Sequence, residues 1–156
     1  MNSFLFTYND YNIWANKRLL ELLDQNKNHI PEYSIKLTGH IFRAEDIWFM
    51  RISGFSTAGM EVFPLLSLAQ CHSLFEKNRK NLQNLFKQSL DFPEKIINYQ
   101  NSSGRPFSTP CSEILHHVFN HGTYHRGQIM SDLRRNGIEP VATDFILYSR
   151  EQVNKK

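Results

Sequence analysis

The sequence predicts an all-α protein, a four-helix bundle with one long connection, and three observations carry that expectation. Four stretches repeat apolar residues at three- and four-residue spacing, Gly or Pro closes them, and one short segment alternates in the manner of a strand. At 156 residues the chain suits one hydrophobic core, and residues 1–156 read as a single bundle domain. An apolar content of 40% with 13% aromatics excludes a disordered chain.

The first helix is expected from Phe4 to Leu23, with Phe4, Tyr8, Tyr11, Ala15, Leu19 and Leu22 on its apolar face and Asn12, Asn16 and Lys17 among the intervening polar positions. A polar run and Pro31 close it. The second is expected from about Ser34 to Ile52, carrying Leu37, Ile41, Ala44, Ile47 and Trp48 inward together with His40, and Gly54 stops it. Ser53 to Pro64 has no periodicity and reads as a connection. From Ser67 to Gln88 the stripe Leu68, His72, Phe75, Arg79, Leu82 and Phe86 marks a third helix, broken at Asp91 and Pro93. His72 on that stripe reads as a core histidine. Ile96, Ile97 and Tyr99, then Asn101-Ser102-Ser103-Gly104 and Phe107, suggest a small hairpin. Pro110 and Ser112 open the last long helix, whose face Ile114, Val118, His121, His125 and Ile129 continues to about Arg135 before Gly137 and Pro140. The tail suggests a short fifth helix.

Charge and composition exclude several classes of function. The 18 basic residues are scattered against 15 acidic ones, so no nucleic-acid footprint forms. Arg134 and Arg135 suit a helix C-terminus, and Lys155 and Lys156 a solvated tail. Cys71 and Cys111 do not make a secreted disulfide framework and are expected as thiols. No stretch approaches the roughly 20 apolar residues that span a bilayer, and Met1 to Asp10 has no signal-peptide pattern, so a cytoplasmic location without membrane partners is expected. Ser112 and Ser131 lack the neighbours of a nucleophilic triad.

Four of the seven histidines lie between His116 and His125. Residues four apart on a helix face the same way about 6 Å apart, so either His117 with His121 or His121 with His125 could offer two imidazoles to one ion. All three cannot, because His117 and His125 are separated by roughly 12 Å of helix rise. A third ligand must come from elsewhere, and His40 is the candidate, since an inward imidazole needs a partner. Three histidines from two helices would leave a position open on Zn, Ni or Fe. Gly122 stands where the zinc-peptidase pattern has its glutamate base, which disfavours peptidase chemistry. His116 points about 100° from His117 and reads as a surface residue. Gly122 inside the helix suggests close approach of another helix.

The order Tyr11-Asn12-Ile13-Trp14-Ala15-Asn16, then Gly39-His40-Ile41 with Trp48, then Asn120-His121-Gly122-Thr123-Tyr124-His125-Arg126-Gly127-Gln128, then Thr143-Asp144-Phe145-Ile146, resembles the DinB family of bacterial damage-inducible proteins, which is distinct from the polymerase sharing its name. The resemblance covers nearly the whole chain. It implies a four-helix bundle, often a homodimer; Trp14 and Tyr148 suit either such an interface or core packing. It also implies a three-histidine metal site of His40, His121 and His125, with Arg126 and Gln128 of the same motif in supporting positions and Asp144 pairing with a basic residue; His117 reads as a supporting partner of the site or an alternative ligand. Relatives in the wider superfamily are thiol-dependent S-transferases and a maleylpyruvate isomerase that use mycothiol or bacillithiol. The implied activity is therefore transfer of a low-molecular-weight thiol to a small electrophilic substrate. The alternatives are a non-catalytic, stress-associated metal-binding protein and a metal-dependent hydrolase.

Overall fold

The computed structural model of the chain describes residues 3–88 and 92–154. Asp91, expected to break the third helix, and Lys155 and Lys156 lie outside the described residues. Among the described residues five helices and one hairpin follow in the order α1 (Ser3–Gln25), α2 (Glu32–Ile52), α3 (Leu68–Gln88), β1 (Ile96–Gln100), β2 (Pro106–Pro110), α4 (Cys111–Arg135) and α5 (Phe145–Val153), with a 3-10 turn at Phe92–Glu94. Both strands pair antiparallel, Ile96 opposite Pro110 and Gln100 opposite Pro106, around the turn expected at Asn101–Gly104.

Two helix ends explain where the chain changes direction. After α4, Ile138 N–H donates to Leu133 O and Gly137 N–H to Arg134 O; after α2, Phe55 N–H donates to Met50 O and Gly54 N–H to Arg51 O. This paired closure needs a left-handed residue, and both positions hold glycine, with φ of +80° at Gly54 and +78° at Gly137.

The interior is stratified. One apolar layer joins Leu19 and Leu23 of α1, Leu37 and Phe42 of α2, Phe75 of α3 and Ile129 and Leu133 of α4. A second joins Leu5, Ile52, Leu82, Leu85, Ile114, Leu115 and Phe119. Each fully buried aliphatic or aromatic side chain contributes about 1.5–3 kcal/mol. The order of residues through the layers fixes helix direction. Helices α2 and α3 both run from the first layer to the second, while α1 and α4 run the other way. Parallel α2 and α3 require a connection that travels back along the bundle, and residues 53–67 do so: Pro64 O lies 3.2 Å from where a Cβ on Gly39 would stand.

Between the layers sits a polar one that the apolar stripe does not reveal. Asn12 and Asn16, expected among the polar positions flanking the α1 stripe, are buried, as are Glu45, Asn78 and Arg126. Each asparagine donates through Nδ2 to Glu45 Oε1, at 2.8 and 3.0 Å, and accepts at Oδ1 from Arg126 Nη1, at 2.9 and 2.7 Å. Two amides thus carry the attraction between a buried carboxylate and a buried guanidinium, and Asn78 Nδ2 binds Phe42 O and Glu45 Oε2 from α3.

Three sequence expectations are corrected, those for His72, Phe4 and Asp144. His72 is not in the core: its ring lies at the rim, 3.0 Å from Asp24 Oδ1, because the inward position on that turn of α3 is taken by its neighbour Cys71. Phe4, expected on the buried face of α1, is exposed. Trp14 and Tyr148 are engaged within the chain, in an aromatic cluster with Tyr11 and Phe145 that seats α5 on α1, and Trp14 Nε1 donates to Glu151. Asp144 precedes the first turn of α5 and forms no ion pair among the described residues. Cys71 and Cys111 are buried free thiols whose pKa burial pushes up to about 11 and about 12.

Candidate metal centre

Helices α2 and α4 present three imidazoles to one point. His40 comes from the middle of α2, and His121 and His125 from successive turns of α4. Their ligand nitrogens all lie within 4.8 Å of one another, and His40 Nε2 stands 3.0 Å from His121 Nε2. The nitrogens of a tetrahedral shell at a Zn–N distance near 2.0–2.1 Å stand about 3.3 Å apart, so the spacing is of the right order for one ion.

Two of the rings are held in the tautomer an ion needs. Val62 O can only accept, so the 2.7 Å contact to His40 Nδ1 puts a proton on that nitrogen and leaves Nε2 bare. The same logic applies at His125, whose Nδ1 donates to Gln128 Oε1 at 2.7 Å. Phe63 lies flat on the His40 ring, with centroids 3.7 Å apart and planes within 3°. The returning loop therefore supplies both an acceptor and an aromatic lid to the α2 ligand.

The third ring is kept neutral by its surroundings. Burial, followed by the neighbouring His125, His40 and His117, pushes His121 down to about 3. Burial likewise lowers His40, against the Val62 carbonyl, which favours the charged form. Neutral imidazoles offering lone pairs at a common point match the donor set of a borderline divalent ion such as Zn, Ni or Fe. The residues fit such an ion.

His117 lies outside the triad, one turn earlier on α4, with its ring 5.7 Å from that of His121 and edge-on to Trp48 at 5.3 Å. His116 is exposed, as expected. Arg126 turns away from the histidines into the contact with α1, where its Nη2 also donates to Thr123 Oγ1 at 3.0 Å. Gly122 makes this possible, because a Cβ there would meet Arg126 Nη1 at 3.0 Å and Asn12 Oδ1 at 3.2 Å. Sequence reasoning missed the Val62 carbonyl and Phe63, for which no side-chain pattern exists. It also missed the partners of Arg126, although a charge on the inward stripe of α4 is itself a signal that a buried counter-charge must face it.

Comparison with known proteins places the chain in a family and its fold beside a solved structure. The model of the DinB family matches residues 1–156. Protein DinB of Bacillus subtilis strain 168 is 29% identical, with 95% of each chain covered. The crystal structure of a DinB-like protein from Bacillus cereus ATCC 10987 superposes with a TM-score of 0.57 at 18% identity, covering 82% of this chain and 89% of that one, a likeness of fold.

Proposed function

The chain belongs to the DinB family, and from that premise we propose that it is a metal-dependent enzyme, a thiol-dependent S-transferase acting on small electrophiles, with His40, His121 and His125 as ligands. The observation that supports this reading is the convergence of three imidazoles, two of them tied through Nδ1 to Val62 O and Gln128 Oε1. A divalent ion held by three protein ligands keeps an open position and supplies Lewis acidity there, which favours the thiolate form of an approaching thiol.

In the proposed reaction the thiolate sulfur forms a bond to carbon of the electrophile and the leaving group departs with the bonding pair. The thiol proton passes to solvent. This chain's part is to hold three rings in place, to disfavour protonation of His121 and His40 by burial, and to cover the His40 ring with Phe63. A hydrolase is less well supported, because the cluster is imidazole only and brings no carboxylate base to the same point. A non-catalytic role has one supporting observation: the three ligands join two different helices, so an ion would also staple α2 to α4. Among the described residues no helix is long and apolar enough to cross a membrane. A cytoplasmic homodimer is part of the proposal on the family resemblance, and light scattering on the purified protein tests the dimer.

The deciding experiment is metal analysis of tag-free wild type beside His40→Ala, His121→Ala and His125→Ala, each checked for helicity. One equivalent of Zn, Ni or Fe in the wild type, lost in each folded variant, is expected. Thiol conjugation that disappears with His121 then separates enzyme from staple. A folded wild type that neither retains nor rebinds a divalent ion removes the basis of the reading.

A further inference from the structure

Beyond the histidines, a cavity of about 660 Å³ opens between residues 54–60 of the returning loop and β1 with its turn. Its wall mixes polar Ser56, Thr57, Asn98, Gln100 and Asn101 with apolar Phe55, Met60 and Tyr99, and Arg51 is the single charged side chain in it. The guanidinium is held from behind: its carbon lies 4.5 Å from the Trp48 ring and 5.3 Å from the Tyr99 ring, and Nε donates to Thr57 Oγ1 at 3.4 Å. Among the described residues no carboxylate lies within ion-pair distance of it and Thr57 is its one hydrogen-bond acceptor, so the Nη1 and Nη2 hydrogens are left for solvent or a ligand. A half-buried, immobilised guanidinium without an internal counter-ion is an arrangement suited to a single external anion.

Packed side chains and one loop run from the wall of this cavity to the candidate metal centre. Trp48, which backs Arg51, touches the His117 ring, and His117 neighbours His121. The loop whose residues 54–60 line the cavity continues to Val62 and Phe63 on His40.

We propose that this cavity is a carboxylate-binding subsite in which Arg51 takes a carboxylate bidentately, so that the substrate is an anionic small molecule lying with its charged end here and its reacting end toward the histidines. A planar carboxylate carries the one negative charge that one guanidinium fork balances, and the flanking amides and hydroxyls suit its polar surroundings. The orientation of the substrate rests on the proposed metal-dependent function; the subsite itself does not.

Benzoate and its neutral isostere benzamide are the probes, titrated calorimetrically into wild type, Arg51→Met, Thr57→Asp and His121→Ala, with the Arg51 Nε–H resonance followed in parallel. The wild type is expected to bind benzoate about tenfold or more tightly than benzamide, as a charge-assisted pair requires. Arg51→Met is expected to lose that preference. Thr57→Asp places a carboxylate against the guanidinium from the loop residue that already accepts from Arg51 Nε, and it is expected to abolish the preference without removing Arg51. His121→Ala is expected to bind benzoate like the wild type, which keeps the subsite testable even if no metal is bound. Equal binding of benzoate and benzamide by the wild type, or a benzoate preference retained in Arg51→Met or in Thr57→Asp, overturns the proposal. Binding lost in folded His121→Ala and kept in Arg51→Met assigns the anion to the histidines instead.

Discussion

Gln128 shows how a residue that binds no ion controls one that does. Its Oε1 accepts the His125 Nδ1 proton at 2.7 Å, which turns the bare Nε2 toward the cluster. Replacing it with leucine keeps the volume and removes the acceptor, so the ring can rotate or change tautomer. Metal affinity is expected to fall by about 10–100-fold, the usual effect of losing such a partner. Competition against a chromogenic chelator measures it, and an unchanged affinity in folded Gln128→Leu contradicts the assigned role. Gly122 poses the opposite question, since alanine is intrinsically better by about 1 kcal/mol in a helix interior. Here the added methyl would stand 3.0 Å from Arg126 Nη1 and 3.2 Å from Asn12 Oδ1. Neither atom can retreat without breaking a buried hydrogen bond. Gly122→Ala is therefore expected to destabilise by about 1–3 kcal/mol in urea denaturation, and a stabilised variant shows that the contact yields.

At the scale of elements, the returning loop matters as much as the helices. Residues 53–67 exist as a long connection because α2 and α3 are parallel, and their path along α2 is what brings Val62 O and Phe63 to His40. Gly39 permits that path, with a Cβ there meeting Pro64 O at 3.2 Å and Leu66 Cβ at 3.4 Å. Gly39→Ala is expected to leave helicity intact and to weaken metal binding about tenfold by lifting the loop off His40; the chelator competition decides, and wild-type affinity would mean the loop does not hold the ring. The sequence makes the helices legible because their apolar positions repeat with the helical period, and makes the turn of the hairpin legible because Asn101 and Gly104 suit it. The course of the loop is not legible, because its contacts run through main-chain atoms and through Phe63, an aromatic that no periodicity marks. The histidine cluster could be narrowed to His121 with one neighbour by spacing alone, whereas the choice of His125 over His117 came with the family resemblance. The burial of Asn12 and Asn16 is not legible, because amides beside an apolar stripe ordinarily face water. Only Glu45 and Arg126, brought from two other helices, make their burial favourable.

For the whole molecule, the buried titratable groups set how stability responds to pH, and they pull in opposite directions. Burial and the neighbouring imidazoles hold His121 down to about 3, and burial lowers His40 and His117 as well. In the unfolded chain these rings titrate near 6.5. Between about pH 6.5 and pH 3 the unfolded chain therefore binds protons that the folded chain refuses. The stability they contribute is present above that window and is lost as pH falls through it, with a slope of at most about 1.4 kcal/mol per pH unit for each proton. Glu45 acts in the other sense. Burial raises its carboxyl more than Asn12, Arg126, Asn16 and Asn78 lower it, so its contribution is fully present below its unfolded value near 4.5 and declines as pH rises through the folded one. Taking metal-free protein from pH 7 to pH 5 should then lower its urea midpoint, because His121 and His40 together outweigh one carboxyl, the exposed His117 adding little. His121→Ala should flatten the dependence, and Glu45→Gln should steepen it, since only the histidine term remains. A divalent ion, which requires neutral rings, should steepen the wild-type dependence further, and chelation should return it to the metal-free slope. Urea titrations at pH 5, 6 and 7, with and without chelator, separate these contributions. A midpoint that does not move between pH 7 and pH 5 in the metal-free wild type, or a His121→Ala slope as steep as the wild type's, would show that the imidazoles are not shielded as the geometry requires.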